Sequence, residues 1–287
     1  LAGRLDQAAE VKVEKKREIQ MELEQAKLKL AWLYPEYLNL YGDQGNIICL
    51  QKRAEWRHIM LQVDKISLQD EFKAASYDLV FMGGGQDQEQ EALHQDLLEN
   101  KATELRKYIR SGGVMLTICG GYQLLGKYYK SADGKLTPGI DVLPLVTLAQ
   151  SRRLIGNLAF VADLPLPEAD RLMYGFENHS GLTYFLDERG EMLRGEKETE
   201  TIARLAFGRV IKGNGNNGAD GYEGCHYLNC FGTYAHGSFL PKNPAFADYL
   251  LTTALQKKYK LAADFTLPPL QENILTALRA QLQQLQA

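Results

Sequence analysis

The stretch Thr117-Ile118-Cys119-Gly120-Gly121-Tyr122-Gln123 puts a thiol where an apolar run meets two glycines and a helix-forming segment. A strand–turn–helix of this kind projects its central side chain above the C-terminal edge of a sheet, the geometry of a nucleophile elbow. The backbone N–H after the cysteine can face a developing oxyanion. The adjoining helix N-terminus favours the thiolate. Together these outweigh the ordinary reading of a cysteine as a small buried apolar residue. A second signal is Phe81-Met82-Gly83-Gly84-Gly85-Gln86, three glycines closing an apolar strand. Lacking side chains, they let backbone N–H groups approach a ligand. Beside a candidate nucleophile, the run reads as an oxyanion hole.

A thiolate nucleophile needs a proton partner. Of the five histidines, His236 lies in Gly232-Thr-Tyr-Ala-His-Gly237, a loop between a strand and a helix, and His179 lies in Gly175-Phe-Glu-Asn-His-Ser-Gly181. His94 falls in a charged helix, and His58 and His226 flank apolar strands. Spacing favours His236 over His179 only modestly. Two other patterns carry less. Gly121-Tyr-Gln-Leu-Leu-Gly126-Lys127 starts like a P-loop, but Tyr128 stands where a Mg²⁺-binding hydroxyl belongs, and bulky residues fill the cradle. Cys225, His226, Cys230 and His236 could suggest zinc, but adjacent strand residues point to opposite faces, so no metal is expected.

The elements that must hold these residues follow from periodicity. Apolar runs at 28–34, 59–66, 77–82 and 114–118 alternate with helical stretches through 58, over 87–110 and over 121–129. That alternation predicts an α/β fold with a mostly parallel central sheet. Candidate strands at 143–149, 154–162, 173–177, 203–211 and 226–231 add extra β hairpins. Gly213–Gly218 reads as a turn or mobile loop. Helices are expected over 243–258 and 269–285. Three segments result: a charged, helical N-terminal extension over 1–27, one domain over 28–260, and a helical tail over 261–287.

The 287 residues balance 33 basic against 36 acidic side chains, a formal charge of −3, which offers no argument for nucleic acid. No apolar run reaches membrane-span length. Four cysteines without a paired framework suit a cytoplasmic protein with free thiols.

The Cys119 elbow, the 83–85 glycine run and the late His236 resemble a class I glutamine amidotransferase. Three further blocks narrow this: Leu38-Asn-Leu-Tyr-Gly-Asp-Gln-Gly-Asn46, Gly83-Gly-Gly-Gln-Asp-Gln-Glu-Gln90 and Gly175-Phe-Glu-Asn-His179. They are similar to the GatD family, glutaminase subunits of lipid II isoglutaminyl synthase, in the cobyric-acid-synthase-like branch. The resemblance covers roughly residues 28–260. It implies a flavodoxin-like core in which Cys119 attacks the amide of L-glutamine. Backbone N–H groups at Gly84, Gly85 and Gly120 would hold the oxyanion, and His236 would shuttle the proton. Arg153 would grip the α-carboxylate, with Gln123 and His179 lining the pocket. Many relatives carry a glutamate two residues after the histidine. Ser238 stands there, and Asp43 is the candidate replacement, although Tyr-Gly-Asp-Gln-Gly is also good turn chemistry.

By the same resemblance, no cofactor is expected in this chain. ATP and Mg belong to a MurT-like Mur ligase subunit in a heterodimer. That partner would turn D-glutamate of lipid II into D-isoglutamine, at the inner face of the membrane. The competing readings are a stand-alone cysteine hydrolase of γ-glutamyl amides and a non-catalytic scaffold.

Overall fold

The structure is a computed structural model that describes residues 26–85, 93–194 and 198–270. The extension expected over 1–27 lies outside these residues except for Ala26 and Lys27, and Lys27 already belongs to the first strand. The helix expected over 269–285 lies outside them from residue 271 onward, while 261–270 run without helix.

Strands β1 (Lys27–Leu33), β2 (Met60–Ile66), β3 (Leu79–Met82) and β4 (Val114–Ile118) pair in parallel in the order β2-β1-β3-β4. Strands β3 and β4 are buried along their whole length, as continuous apolar runs in a parallel sheet must be. Helices α1 (Gln44–Glu55) and α2 (Ala102–Arg110) connect them, α2 entered through a π-helical turn at Leu97–Lys101. Helix α3 (Gly120–Leu124) is shorter than the predicted 121–129. A Cβ on Gly126 would lie 2.7 Å from Leu145 O, so the chain leaves the helix there to pass against its neighbour. Tyr128–Lys130 then becomes strand β5.

A second sheet follows: β5, β6 (Leu136–Pro138), β7 (Leu145–Ala162), β8 (Leu172–Phe185), β9 (Gly208–Lys212) and β10 (Tyr222–Glu223). The two strands predicted at 143–149 and 154–162 are one strand, β7, whose pairing with β8 shifts register between Ala149 and Leu154. Its partner β8 is far longer than the predicted 173–177. The predicted strand 203–211 is split between a helix and β9. Helix α4 (Glu168–Arg171) lies between β7 and β8, and α5 (Thr199–Leu205) buries Ile202 before the chain turns into β9.

The predicted strand 226–231 is a hairpin of β11 (Cys225–Tyr227) and β12 (Cys230–Thr233), turning at Leu228, where φ is 54°. It returns to the first sheet, where β12 lies parallel to β4 and completes the order β11-β12-β4-β3-β1-β2. Helices α6 (Phe239–Lys242) and α7 (Pro244–Tyr259) close the described chain. Arg53 of α1 and Arg57, just after it, clamp Asp248 of α7 at 2.6 and 2.7 Å.

The expected mostly parallel sheet with flanking helices is present. The anticipated hairpins amount to a second sheet. No helix of the described residues is long and apolar enough to cross a membrane.

Candidate active site

Four parallel strands end at one edge. The register Met82↔Thr117 and Ile118↔Thr233 sets Gly84, Cys119 and Tyr234 level with one another just beyond it. The loop after β1 folds over them, with Leu40 N–H donating to Gly84 O at 3.0 Å.

Cys119 sits at φ 46° and ψ −105° between β4 and α3. A non-glycine residue held there costs about 1–3 kcal/mol, which the surrounding fold must offset. Fixing hydrogen bonds run from Cys119 N to Thr233 O at 2.8 Å and from Gly121 N to Gly83 O at 3.2 Å. The thiol-bearing residue is 6% exposed.

Gly84 is the hub. A methyl built on it would lie 2.7 Å from His236 Cε1, 3.3 Å from Cys119 Cβ and 3.4 Å from Asp43 Oδ2. The sequence-predicted nucleophile, base and acid therefore surround one glycine. The pairing inside the cluster differs from the expected one. Asp43 Oδ2 accepts the Gly84 N–H at 2.6 Å, and Asp43 Oδ1 has no partner among the described residues. An Asp43–His236 hydrogen bond, expected for an orienting acid, is absent among the described contacts. His236 is fully buried with both ring nitrogens unpartnered among the described residues.

Burial pushes His236 down to about 3, and the charges of His179, Arg153 and Lys242 add to the depression. Burial also pushes Asp43 up to about 7, against the pull of the Gly84 N–H. At neutral pH the imidazole is therefore a neutral base, ready to take a thiol proton.

Arg153 stands on the solvent side, at the shifted register of β7. Its Nε donates to Asn178 Oδ1 at 2.7 Å and its Nη2 to Asn178 O at 2.8 Å. Strand β8 reaches the site through an antiparallel bridge, in which His236 N–H donates to Phe176 O at 2.8 Å.

Residues 29–244 match the CobB/CobQ-like glutamine amidotransferase domain. The chain belongs to that family. A relative from Streptococcus pneumoniae named lipid II isoglutaminyl synthase (glutamine-hydrolyzing) subunit GatD is 41% identical over 84% of this chain and 85% of its own. A Staphylococcus aureus protein of the same name is 39% identical over 77% and 82%. A cobyric acid synthase from Parabacteroides distasonis is 32% identical over 49% of this chain but only 25% of its own. The chain is thus a GatD-type amidotransferase subunit, the family to which the sequence motifs pointed.

Within the amidotransferase domain the other predicted site residues separate. Gly120 opens α3 directly after the thiol, and Gly85 continues the buried glycine run. His179 is buried, stacked on Tyr234 at 3.6 Å. Its Nδ1 is 2.7 Å from Gly181 O, an acceptor, so that nitrogen donates. Gln123 is buried and donates to Tyr234 OH at 3.1 Å. Tyr234 continues to Thr183 at 2.7 Å and Thr183 to Thr147 at 2.8 Å, a polar layer between the sheets.

The Gly213–Gly218 turn is fastened from below. Asn214 N and Gly215 N donate to buried Glu177 at 2.7 and 2.9 Å. Sequence reasoning missed Tyr41 and Asn178 as individual site residues, although both lie inside the quoted motifs. It also missed Lys242, which carries its charge toward His236 from α6. Among the described residues, no three His, Cys, Asp or Glu side chains gather as metal ligands.

Proposed function

We propose that this chain is the glutaminase subunit of a two-chain amidotransferase. It hydrolyses L-glutamine through a Cys119 thioester and passes ammonia to a MurT-like Mur ligase subunit. That partner, with ATP and Mg, would amidate D-glutamate of lipid II to D-isoglutamine. The observation that carries the glutaminase half is the convergence on Gly84 of a strained thiol, a neutral buried imidazole and a carboxyl group. The acceptor half is supported by the two GatD relatives, which match this chain along most of their own length.

In the proposed cycle His236 takes the Cys119 proton as sulfur attacks the amide carbon. Negative charge on the amide oxygen is met by backbone N–H groups of Gly120, Gly84 and Gly85. For Gly84 to serve, its N–H exchanges Asp43 for the substrate oxygen, and a protonated Asp43 lowers the repulsion between the two. The imidazolium returns its proton to the leaving nitrogen, the C–N bond breaks and ammonia departs. His236 then deprotonates water, which attacks the thioester. Glutamate leaves and the proton returns to sulfur. Arg153 suits the α-carboxylate because a guanidinium can donate to both oxygens at once.

The test is glutamate release from L-glutamine by the purified chain, with and without the co-expressed Mur-ligase-like partner. Wild type should turn over, faster with the partner, and Cys119→Ala and His236→Ala should each lose at least ~10³-fold. Full activity without any partner would favour the stand-alone hydrolase. Unchanged function of the complex with Cys119→Ala would favour the scaffold.

A further inference from the structure

Tyr41 performs no step of that cycle, yet it touches both halves of the site. It lies in the 3-10 turn Leu40–Gly42 with φ 55° and ψ 26°. A bulky side chain rarely adopts this left-handed conformation, and it persists where the surroundings over-determine it. The turn is held on both sides: Leu40 N–H donates to Gly84 O, and Ser238 Oγ donates to Gly42 O at 2.7 Å. The Tyr41 ring consequently lies edge-on to the His236 imidazole at 5.0 Å and to Phe176 at 6.3 Å. Its hydroxyl accepts a hydrogen bond from Asn178 Nδ2. The same Asn178 accepts both Arg153 hydrogen bonds through Oδ1 and its backbone oxygen.

One line of contacts thus runs from the imidazole through Tyr41 and Asn178 to the guanidinium. Tyr41 is 43% exposed while the histidine beneath it is fully buried, so the ring is a cover as well as a link.

We propose that Tyr41 is a positioning residue for this amidotransferase site: its hydroxyl fixes Asn178 and so aims Arg153 at the glutamine α-carboxylate, while its ring keeps water off His236. The proposal rests on the glutaminase reading above. The two roles belong to different atoms and are separable. Removing the oxygen leaves the Asn178 amide free to turn and the guanidinium less confined, which weakens substrate binding. Removing the ring hydrates the imidazole as well. The other charged or titratable groups around His236 are His179 on β8, Arg153 on β7, Lys242 on α6, Asp43 in the loop after β1 and Cys119 at the elbow. All of them stay in place when Tyr41 is cut back.

The experiment uses the chain in complex with its partner and compares Tyr41→Phe, Tyr41→Ala, Asn178→Ala and the Phe/Ala double variant. Loss of one neutral hydrogen bond predicts a KM for glutamine raised about five- to tenfold in Tyr41→Phe, with kcat within about twofold. Iodoacetamide should alkylate Cys119 of Tyr41→Phe at the wild-type rate. Asn178→Ala should raise KM similarly, and the double variant should add little, as expected for one shared path. Tyr41→Ala should also move the acid limb of kcat/KM upward by at least about one pH unit, as the hydrated imidazole returns toward its ordinary value.

A wild-type KM in Tyr41→Phe, equal losses in kcat and KM, or additive effects in the double variant would each overturn the proposal. Arg153→Ala and Cys119→Ala serve as controls. If Arg153→Ala leaves KM unchanged, the carboxylate contact this proposal needs is missing and the proposal fails alone; if Cys119→Ala still releases glutamate, the glutaminase reading itself has failed and takes this proposal with it.

Discussion

Asp43 and Asp96 are two buried acids near the same edge of the first sheet, and their surroundings push them in opposite directions. Asp96 is met from every side. Lys101 Nζ lies 2.5 Å from its Oδ2, Tyr34 OH donates to the same oxygen at 2.7 Å, and Asn100 and Gln69 N–H fill Oδ1 at 2.8 and 2.9 Å. Burial works to raise it, yet the hydrogen bonds from Lys101, Asn100, Tyr34 and Gln69 outweigh that and bring it down to about 2. Asp43 receives one backbone N–H, keeps an oxygen unpartnered among the described residues and is pushed up to about 7. A carboxylate with all its lone pairs met is part of the framework. It ties the ends of β1 and β2 to the helical segment after β3. A carboxylate left unsatisfied beside an unsatisfied imidazole is poised to change partners, which a reaction requires and a framework does not.

Exchanging each acid for its amide sharpens this contrast. The largest effect is expected for Asp96→Asn. It leaves the fully buried Lys101 ammonium without its counter-charge, which typically costs about 3–5 kcal/mol. Thermal or urea unfolding should register the whole loss, while glutamate release per folded molecule stays near wild type. Asp43→Asn should do the reverse. Turnover is expected to fall about 10–100-fold, a loss of the size seen when a supporting partner of a reacting group is removed, with no loss of stability in unfolding. Should Asp43→Asn destabilise the chain as severely as Asp96→Asn while sparing turnover, both acids would be framework and the distinction would collapse.

The sequence disclosed the parts of the site written in short local patterns. Strand β4 ends where the apolar run Val114–Ile118 does, and the paired glycines after Cys119 mark the elbow without any tertiary information. The same holds for the glycine run after β3. Patterns failed where a distant segment decides the outcome. Tyr128–Lys130 is helical by local pattern but pairs with β6 and β7. The run 226–231 reads as one strand until Leu228 takes a positive φ and folds it into a hairpin. Asp43 was found by its place after the first strand. Its bond to Gly84 in place of His236 depends on how the loop after β1 seats on the glycine run, and no spacing encodes that. Tyr41 and Asn178 are 137 residues apart and meet only because β8 bridges to the His236 loop.

The smallest effect concerns the same two acids read through pH. In the unfolded chain Asp43 ionises near its ordinary value of 3.8, but in the folded chain only near 7. Below that window both forms are protonated and Asp43 contributes nothing to pH dependence. Within it the unfolded chain has released the proton and the folded chain has not, so stability falls as pH rises, by at most ~1.4 kcal/mol per unit, and levels off above 7. Asp43→Asn removes that slope, because the amide has no proton to release and the pull of the Gly84 N–H is already contained in the raised value of Asp43. The variant should therefore match wild type near pH 4 and gain on it steadily up to about pH 7, in urea unfolding followed from pH 4 to 8. Asp96 has the opposite sign. Its folded value lies below the unfolded one, so its contribution is present at neutral pH and lost only as pH falls toward 2. An Asp43→Asn minus wild-type difference that stays flat from pH 4 to 8 would mean that Asp43 is ionised throughout, and the exchange of Asp43 for the substrate oxygen at Gly84 would then have to occur against a full negative charge.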